Sequence, residues 1–223
     1  MQLIDRIEKR RFVGREFLLF LWFESELFEA TLSTPKHGPF GLWLERCLVL
    51  SEGRESTKIT APLPGVGREA KEALLRGQLP ESAGIRIAWH DDETAFVLKA
   101  ESLALAGLKL KTVLDKDDGP SELLAELTGQ KTAGRRKKAE PEDDREQLFE
   151  RMALTQELEE LLESLYRDFL SVRLSARWGE LVLPALRRWV VGEPVDADAY
   201  LAARNPREAT PKALPALELS AQA

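Results

Sequence analysis

The chain has little of what catalytic sites are usually built from. Its 223 residues contain one cysteine, Cys47, and two histidines, His37 and His90. A single cysteine forms no internal disulfide, and a reducing compartment is the default for such a composition. A metal centre wants three or four His, Cys or carboxylate ligands at set spacings. His37 lies in a Pro/Gly turn, and His90-Asp91-Asp92-Glu93 reads as a solvated hairpin turn. Cys47 stands among large apolar residues and reads as a buried thiol, not a nucleophile. There is no GxSxG. Gly65-Val66-Gly67 precedes a helical stretch but lacks the third glycine and the lysine of a phosphate loop. Carboxylates crowd residues 140–144 and 157–163, where they read as linker and solvated helix face; general acid–base pairs need burial and convergence. The expectation is a protein without catalytic residues, metal, cofactor or small-molecule substrate.

Long apolar runs are also missing. Residues 17–23 (FLLFLWF) are apolar without a break, but a spanning helix takes about 20 such residues. Glu16, Glu24 and Glu26 close the run. Lys9, Arg10 and Arg11 precede it as in a signal peptide, yet Trp22, Phe23, Glu24 and Ser25 stand where a small-residue cleavage site belongs. The chain reads as cytoplasmic, with no membrane partner. Its formal charge of −6 argues against a wholly basic nucleic-acid binder and leaves room for a local basic face.

What is present organises into an α+β chain. Residues 8–30 read as one helix, since good helix formers run there without proline. Apolar residues surround that helix almost completely, so it should be buried on every side, by a sheet on one face and by another helix or a second subunit on the other. Phe17, Phe20, Trp22 and Phe23 are the candidate interface residues. Residues 40–50 alternate as a strand, 56–60 as its return, 68–76 as a short helix stopped by Gly77, and 84–89 with 94–99 as a hairpin. Residues 103–105 add a short strand. Residues 115–119 are acidic, and Ser121 caps a short helix over 121–127. A long helix from about Asp143 to Leu174 carries Leu158, Leu161, Leu162, Leu165, Phe169 and Val172 on one face. A second helix over 180–191 has Pro184 in its first turn.

The expected organisation is an α+β domain over 1–127 with a buried N-terminal helix and a small antiparallel β-meander. A charged flexible linker follows at 128–144, then a helical hairpin at 145–191 packing on the first domain. The Ala/Pro-rich tail over 192–223 reads as disordered.

Three basic clusters supply material for phosphate contacts. Lys9, Arg10, Arg11 and Arg15 precede and open the first helix. Lys131, Arg135, Arg136, Lys137 and Lys138 lie in the linker, and Arg173, Arg177, Arg187 and Arg188 surround the helical pair. Such side chains on one accessible face hold a duplex without reading its sequence.

An ordered series of segments resembles one family. GREFLLFLWFESE (14–26), the tryptophan-bearing strand FGLWLERCLVL (40–50) and GREAKEALLRGQL (67–79) come first. The hairpin over 85–99, LALAGLKL (103–110) and the helices over 149–189 follow. Together they resemble the C-terminal half of RdgC-type recombination-associated proteins, in the divergent branch with a GREFLTWLWF-S/E-like helix, an EA-x-x-AL-x-x-G helix and an L-x-L-x-GLKL segment. The resemblance covers roughly residues 11–191. It implies a cytoplasmic, nucleoid-associated protein without catalytic activity. Such proteins form ring-like dimers that encircle duplex DNA with little sequence preference and restrain RecA-driven recombination. Family members carry a large portion before this helix, where about a dozen residues stand here, which puts part of the ring-forming surface outside this chain. Duplex DNA and a second copy are thus the expected partners. The alternative is a protein-interaction module that keeps the fold without DNA, the long helix docking on a partner by its apolar face.

Overall fold

The computed structural model describes residues 13–89, 92–110 and 143–204, with the backbone alone at 92 and 143–147. Outside them lie His90, the acidic stretch and short helix expected over 115–127, nearly all of the 128–144 linker, and the tail from 205. The chain forms two compact units, residues 1–171 and 172–223. The long helix therefore belongs mainly to the first unit, and the expected boundary at 145 moves to 172.

The first unit begins with helix α1, Gly14–Leu27. Its end differs from the sequence expectation of Ala30. Glu29 and Ala30 take left-handed backbone angles, φ 50° and 64°, a conformation that costs a non-glycine residue roughly 1–2 kcal/mol. The turn recovers this by satisfying backbone groups. Ala30 donates to the Ser25 carbonyl at 2.6 Å and accepts from Leu42 at 2.8 Å. No glycine or proline marks the spot, so propensity carries the helix too far.

Six strands follow: β1 Thr31–Thr34, β2 Gly38–Glu52, β3 Glu55–Ala61, β4 Leu79–Trp89, β5 Asp92–Lys99 and β6 Leu105–Leu110. Helix α2, Arg68–Leu75, lies between β3 and β4, and Gly77 at φ 87° turns the chain out of it. The strands form one antiparallel sheet in the order β1-β2-β4-β5-β6, with β3 also paired to β2. β1 holds one end of β2 (Leu32 opposite Phe40) and β3 the other (Leu48 opposite Ile59). Between them β2 bulges: Leu44 faces Ile85 and Leu48 faces Ala83, so three residues stand against Gly84 alone. A Cβ on Gly84 would sit 2.1 Å from the Glu45 carbonyl oxygen. The bulge places Arg46 at φ 64°.

β1 was absent from the sequence reading, and the strand expected at 103–105 lies at Leu105–Leu110 instead. Leu103, at φ 51°, belongs to the turn that precedes it.

Alternation assigns the faces. Phe40, Leu42, Leu44, Leu48, Leu50, Ile85, Ile87, Phe96 and Leu98 are buried. They meet α1, whose Phe17, Leu18, Phe20, Leu21, Trp22 and Phe23 are also buried. Helix α3, Asp143–Arg173, covers the rest of α1. Leu158, Leu161, Leu162, Leu165 and Phe169 are all buried, as the three- and four-residue spacing requires. Phe17 packs edge-on to Tyr166 at 5.3 Å, and Phe169 touches Phe17 and Phe20 at 5.5 and 5.3 Å. The expected cover for the all-round apolar helix is thus supplied within the chain. The four aromatics named as interface residues are buried in the core: Phe17 and Phe20 lie against Phe169, and Trp22 lies against Gly65 and Lys71.

The second unit contains a π-helical turn Trp178–Val182, α4 Leu183–Val190 and α5 Ala197–Arg204. The helix expected at 180–191 thus starts four residues earlier, at Ala176, and includes a widened turn. Part of the tail is ordered, against expectation: α5 buries Tyr200 and Arg204. Asp196 caps it by accepting the Ala199 N–H at 2.9 Å, and Arg177 donates to the Arg204 carbonyl at 2.9 Å.

Candidate nucleic-acid interface

The basic residues named from sequence scatter. Lys9, Arg10, Arg11, Arg135, Arg136, Lys137 and Lys138 lie outside the described residues. Arg15 ties α1 to the sheet: it donates to the Ser51 hydroxyl, which donates to Glu81 at 2.9 Å, and its own distance to Glu81 is 3.9 Å. Arg187 and Arg188 are exposed on the last turn of α4 in the other unit. Arg188 donates to the Pro194 carbonyl at 2.5 Å and lies 3.5 Å from Glu193, so it closes the helix end, where a cation is favoured.

A basic surface that the sequence reading passed over lies on the first unit. The sheet buries one face under α1 and leaves the other half exposed. Cross-strand partners share a face, so the registers lay out its rows. Lys58, Val49, Ser82 and Lys99 form one row, and Trp43, Arg86, Ala95 and Lys109 another. Trp43 lies flat across Gly41, where a Cβ would meet its ring at 2.2 Å. Arg86 stands 4.1 Å from the Trp43 ring centroid. Its guanidinium also holds Glu45 at 2.6 Å and Glu93 at 2.9 Å, so these carboxylates are already committed. Lys58, Lys99 and Lys109 are exposed and pair with no carboxylate among the described residues. The face thus carries four cations and two bound anions in a chain of net charge −6. The signal was present: each lysine falls on the opposite strand phase from the buried leucines, isoleucines and phenylalanines.

Other cations of the first unit are held by carboxylates. Lys36 binds Glu160. Hydrogen bonds from Lys36 and Gln156 hold the Glu160 carboxyl below its usual range. Burial, then the Lys36 charge, lowers His37, whose ring meets Trp89 at 5.1 Å and Thr34 Oγ1 at 3.0 Å. Lys71 sits over the Trp22 ring at 4.9 Å and 2.8 Å from Glu26, which also accepts the Trp22 indole N–H at 2.5 Å. Burial brings Lys71 down to about 8, against the opposing pull of Glu26.

Among the described residues no His, Cys, Asp or Glu cluster of three or more is placed to hold a metal ion, and no helix is long and apolar enough to cross a membrane. No family model, curated protein or solved structure matches the chain. The class that the fold defines is α+β, an antiparallel sheet with helix α1 packed on one face.

Proposed function

We propose that the chain is a nonenzymatic DNA-associated protein of the cytoplasm and nucleoid that holds duplex DNA by its phosphates, without sequence preference. The observation that supports this reading is the half-exposed sheet face with uncommitted Lys58, Lys99 and Lys109 beside the Trp43–Arg86 stack. Its role would be to modulate recombination, as the RdgC-like series of segments implies, with a second copy as partner. Neutralising three phosphates gives a log–log salt slope of about −2.7, or about a 40-fold loss of affinity between 50 and 200 mM salt. The test is fluorescence anisotropy of a labelled random-sequence duplex across that range. The triple variant Lys58→Glu, Lys99→Glu, Lys109→Glu should lose most of the binding. Absence of binding at low salt, or a triple variant that binds like the parent, defeats the reading.

A protein-interaction module is the second reading. Leu148, Phe149 and Met152, exposed on the first half of α3, favour it.

A further inference from the structure

The open sheet face carries one built feature that phosphate binding alone does not use. It is assembled in layers. Gly41 has no side chain, so the Trp43 ring lies flat over it, where a Cβ would be 2.2 Å away. The Arg86 guanidinium lies over that ring, 4.1 Å from its centroid. Two of its nitrogens are spent within its own plane: Nε donates to Glu45 at 2.6 Å and Nη1 to Glu93 at 2.9 Å. The indole holds the guanidinium from below and the carboxylates hold its edges. Its orientation is therefore fixed before anything binds.

The Arg86 side chain is nevertheless 27% exposed. With one face on Trp43 and two edges on carboxylates, that exposure falls on the outer face and on Nη2. The neighbours leave that face open. Gly84 and Ala88 flank Arg86 on the same side of β4, and Ala95 stands opposite on β5; none carries more than a methyl group. The charges say what the platform takes. One guanidinium and two carboxylates sum to −1, so a phosphate gains nothing from the cluster. A guanidinium plane stacks on neutral planar rings instead, and unpaired nucleobases are held this way. Lys109 shares the row, two strand spacings or about 10 Å away. A base on Arg86 would bring its own phosphate within reach of the Lys109 ammonium, whereas an aromatic side chain of a protein brings no such anion.

We propose that the Trp43–Arg86 stack seats one unpaired nucleobase, so that this face holds DNA with a single-stranded end more tightly than a fully paired duplex. In an intact duplex the bases are stacked inside the helix and do not reach the platform. The inference rests on the DNA reading of the sheet face and adds base stacking to phosphate contact there.

Fluorescence anisotropy of three labelled DNAs at about 50 mM salt tests this. One is a blunt duplex, one the same duplex with a short deoxythymidine overhang, and one the duplex with an abasic overhang of equal length. The abasic overhang supplies the phosphates without the bases. The full chain should bind the deoxythymidine overhang about tenfold more tightly than the abasic one. Arg86→Lys keeps the charge, removes the plane and should erase that margin. Ala95→Leu leaves Arg86 and its carboxylates in place but raises a branched side chain beside the platform, and should erase it too; if Arg86→Lys does not fold, Ala95→Leu decides. Equal affinity for the two overhangs, or a margin that survives either folded variant, overturns the proposal. The phosphate reading then stands if the blunt duplex still binds with a steep salt dependence. Failure of all three DNAs to bind overturns both.

Discussion

Phe169→Ala removes the ring on which α1 and α3 meet. Phe169 is 0% exposed and lies 5.5 and 5.3 Å from the rings of Phe17 and Phe20. Truncating a buried phenylalanine costs about 3–5 kcal/mol, from lost transfer energy and the cavity left behind. The rings around it, held at the centroid spacing aromatic pairs favour, put the cost toward the upper half of that range. For a chain of this size each kcal/mol moves Tm by about 2–4 °C, so a fall of roughly 10 °C or more is expected. Phe149→Ala is the matched control: the same residue on the same helix, but 68% exposed. Its effect should stay within about 0.5 kcal/mol. Denaturant unfolding followed by tryptophan fluorescence, with thermal scans by circular dichroism, reads both. A Phe169→Ala variant within 1 kcal/mol of the parent would refute the assignment of α3 as the inner cover of α1, and with it the burial of the apolar helix inside one chain.

Other expectations follow from single sites. Lys71 should titrate near pH 8 in the folded chain, against about 10.5 unfolded. The folded state then sheds its proton first, so between pH 8 and 10.5 the unfolded chain binds more protons and this group's contribution to stability rises with pH. Below pH 8 the charged form costs the fold on the order of 3 kcal/mol; a Lys71 side-chain NMR titration with a midpoint near 10.5 would contradict the buried site. Gly84→Ala drives a Cβ into the Glu45 carbonyl and should lower stability by roughly 2 kcal/mol or more, judged by urea midpoint; a neutral result would mean that the bulge is not pressed on β4. Asp196→Ala should cost about 1 kcal/mol through the lost cap of α5, visible as faster amide exchange over 199–204 with the first unit unchanged.

The sequence made some of these features legible and hid others. The buried stripe of α3 and the hairpin of β4 and β5 came through because their periods of 3.6 and 2 are set by burial, which the side chains report directly. The end of α1 did not, because left-handed Glu29 and Ala30 are held by tertiary hydrogen bonds and not by a glycine. β1 escaped because four residues, Thr31–Thr34, are too few to show a period. Helix α5 was lost in an Ala/Pro-rich composition, although Asp196 after Pro194 was a readable cap. Grouping charges by nearness in sequence pointed to Arg15, Arg187 and Arg188. The sheet instead gathers Lys58, Lys99 and Lys109 from three strands, and only the registers, fixed by the bulge at Glu45–Cys47, bring them onto one face.

That bulge also divides labour along β2. One edge of the strand serves two neighbours, β1 toward its start and β3 toward its end, and the kink at Arg46 lies between them. Neither hairpin sets the pairing of the other. Residues added at the Gly53 turn would lengthen the β2–β3 arm into solvent while β1 kept its grip next to α1. The fold can therefore change length at this corner over evolutionary time and leave its aromatic core in place.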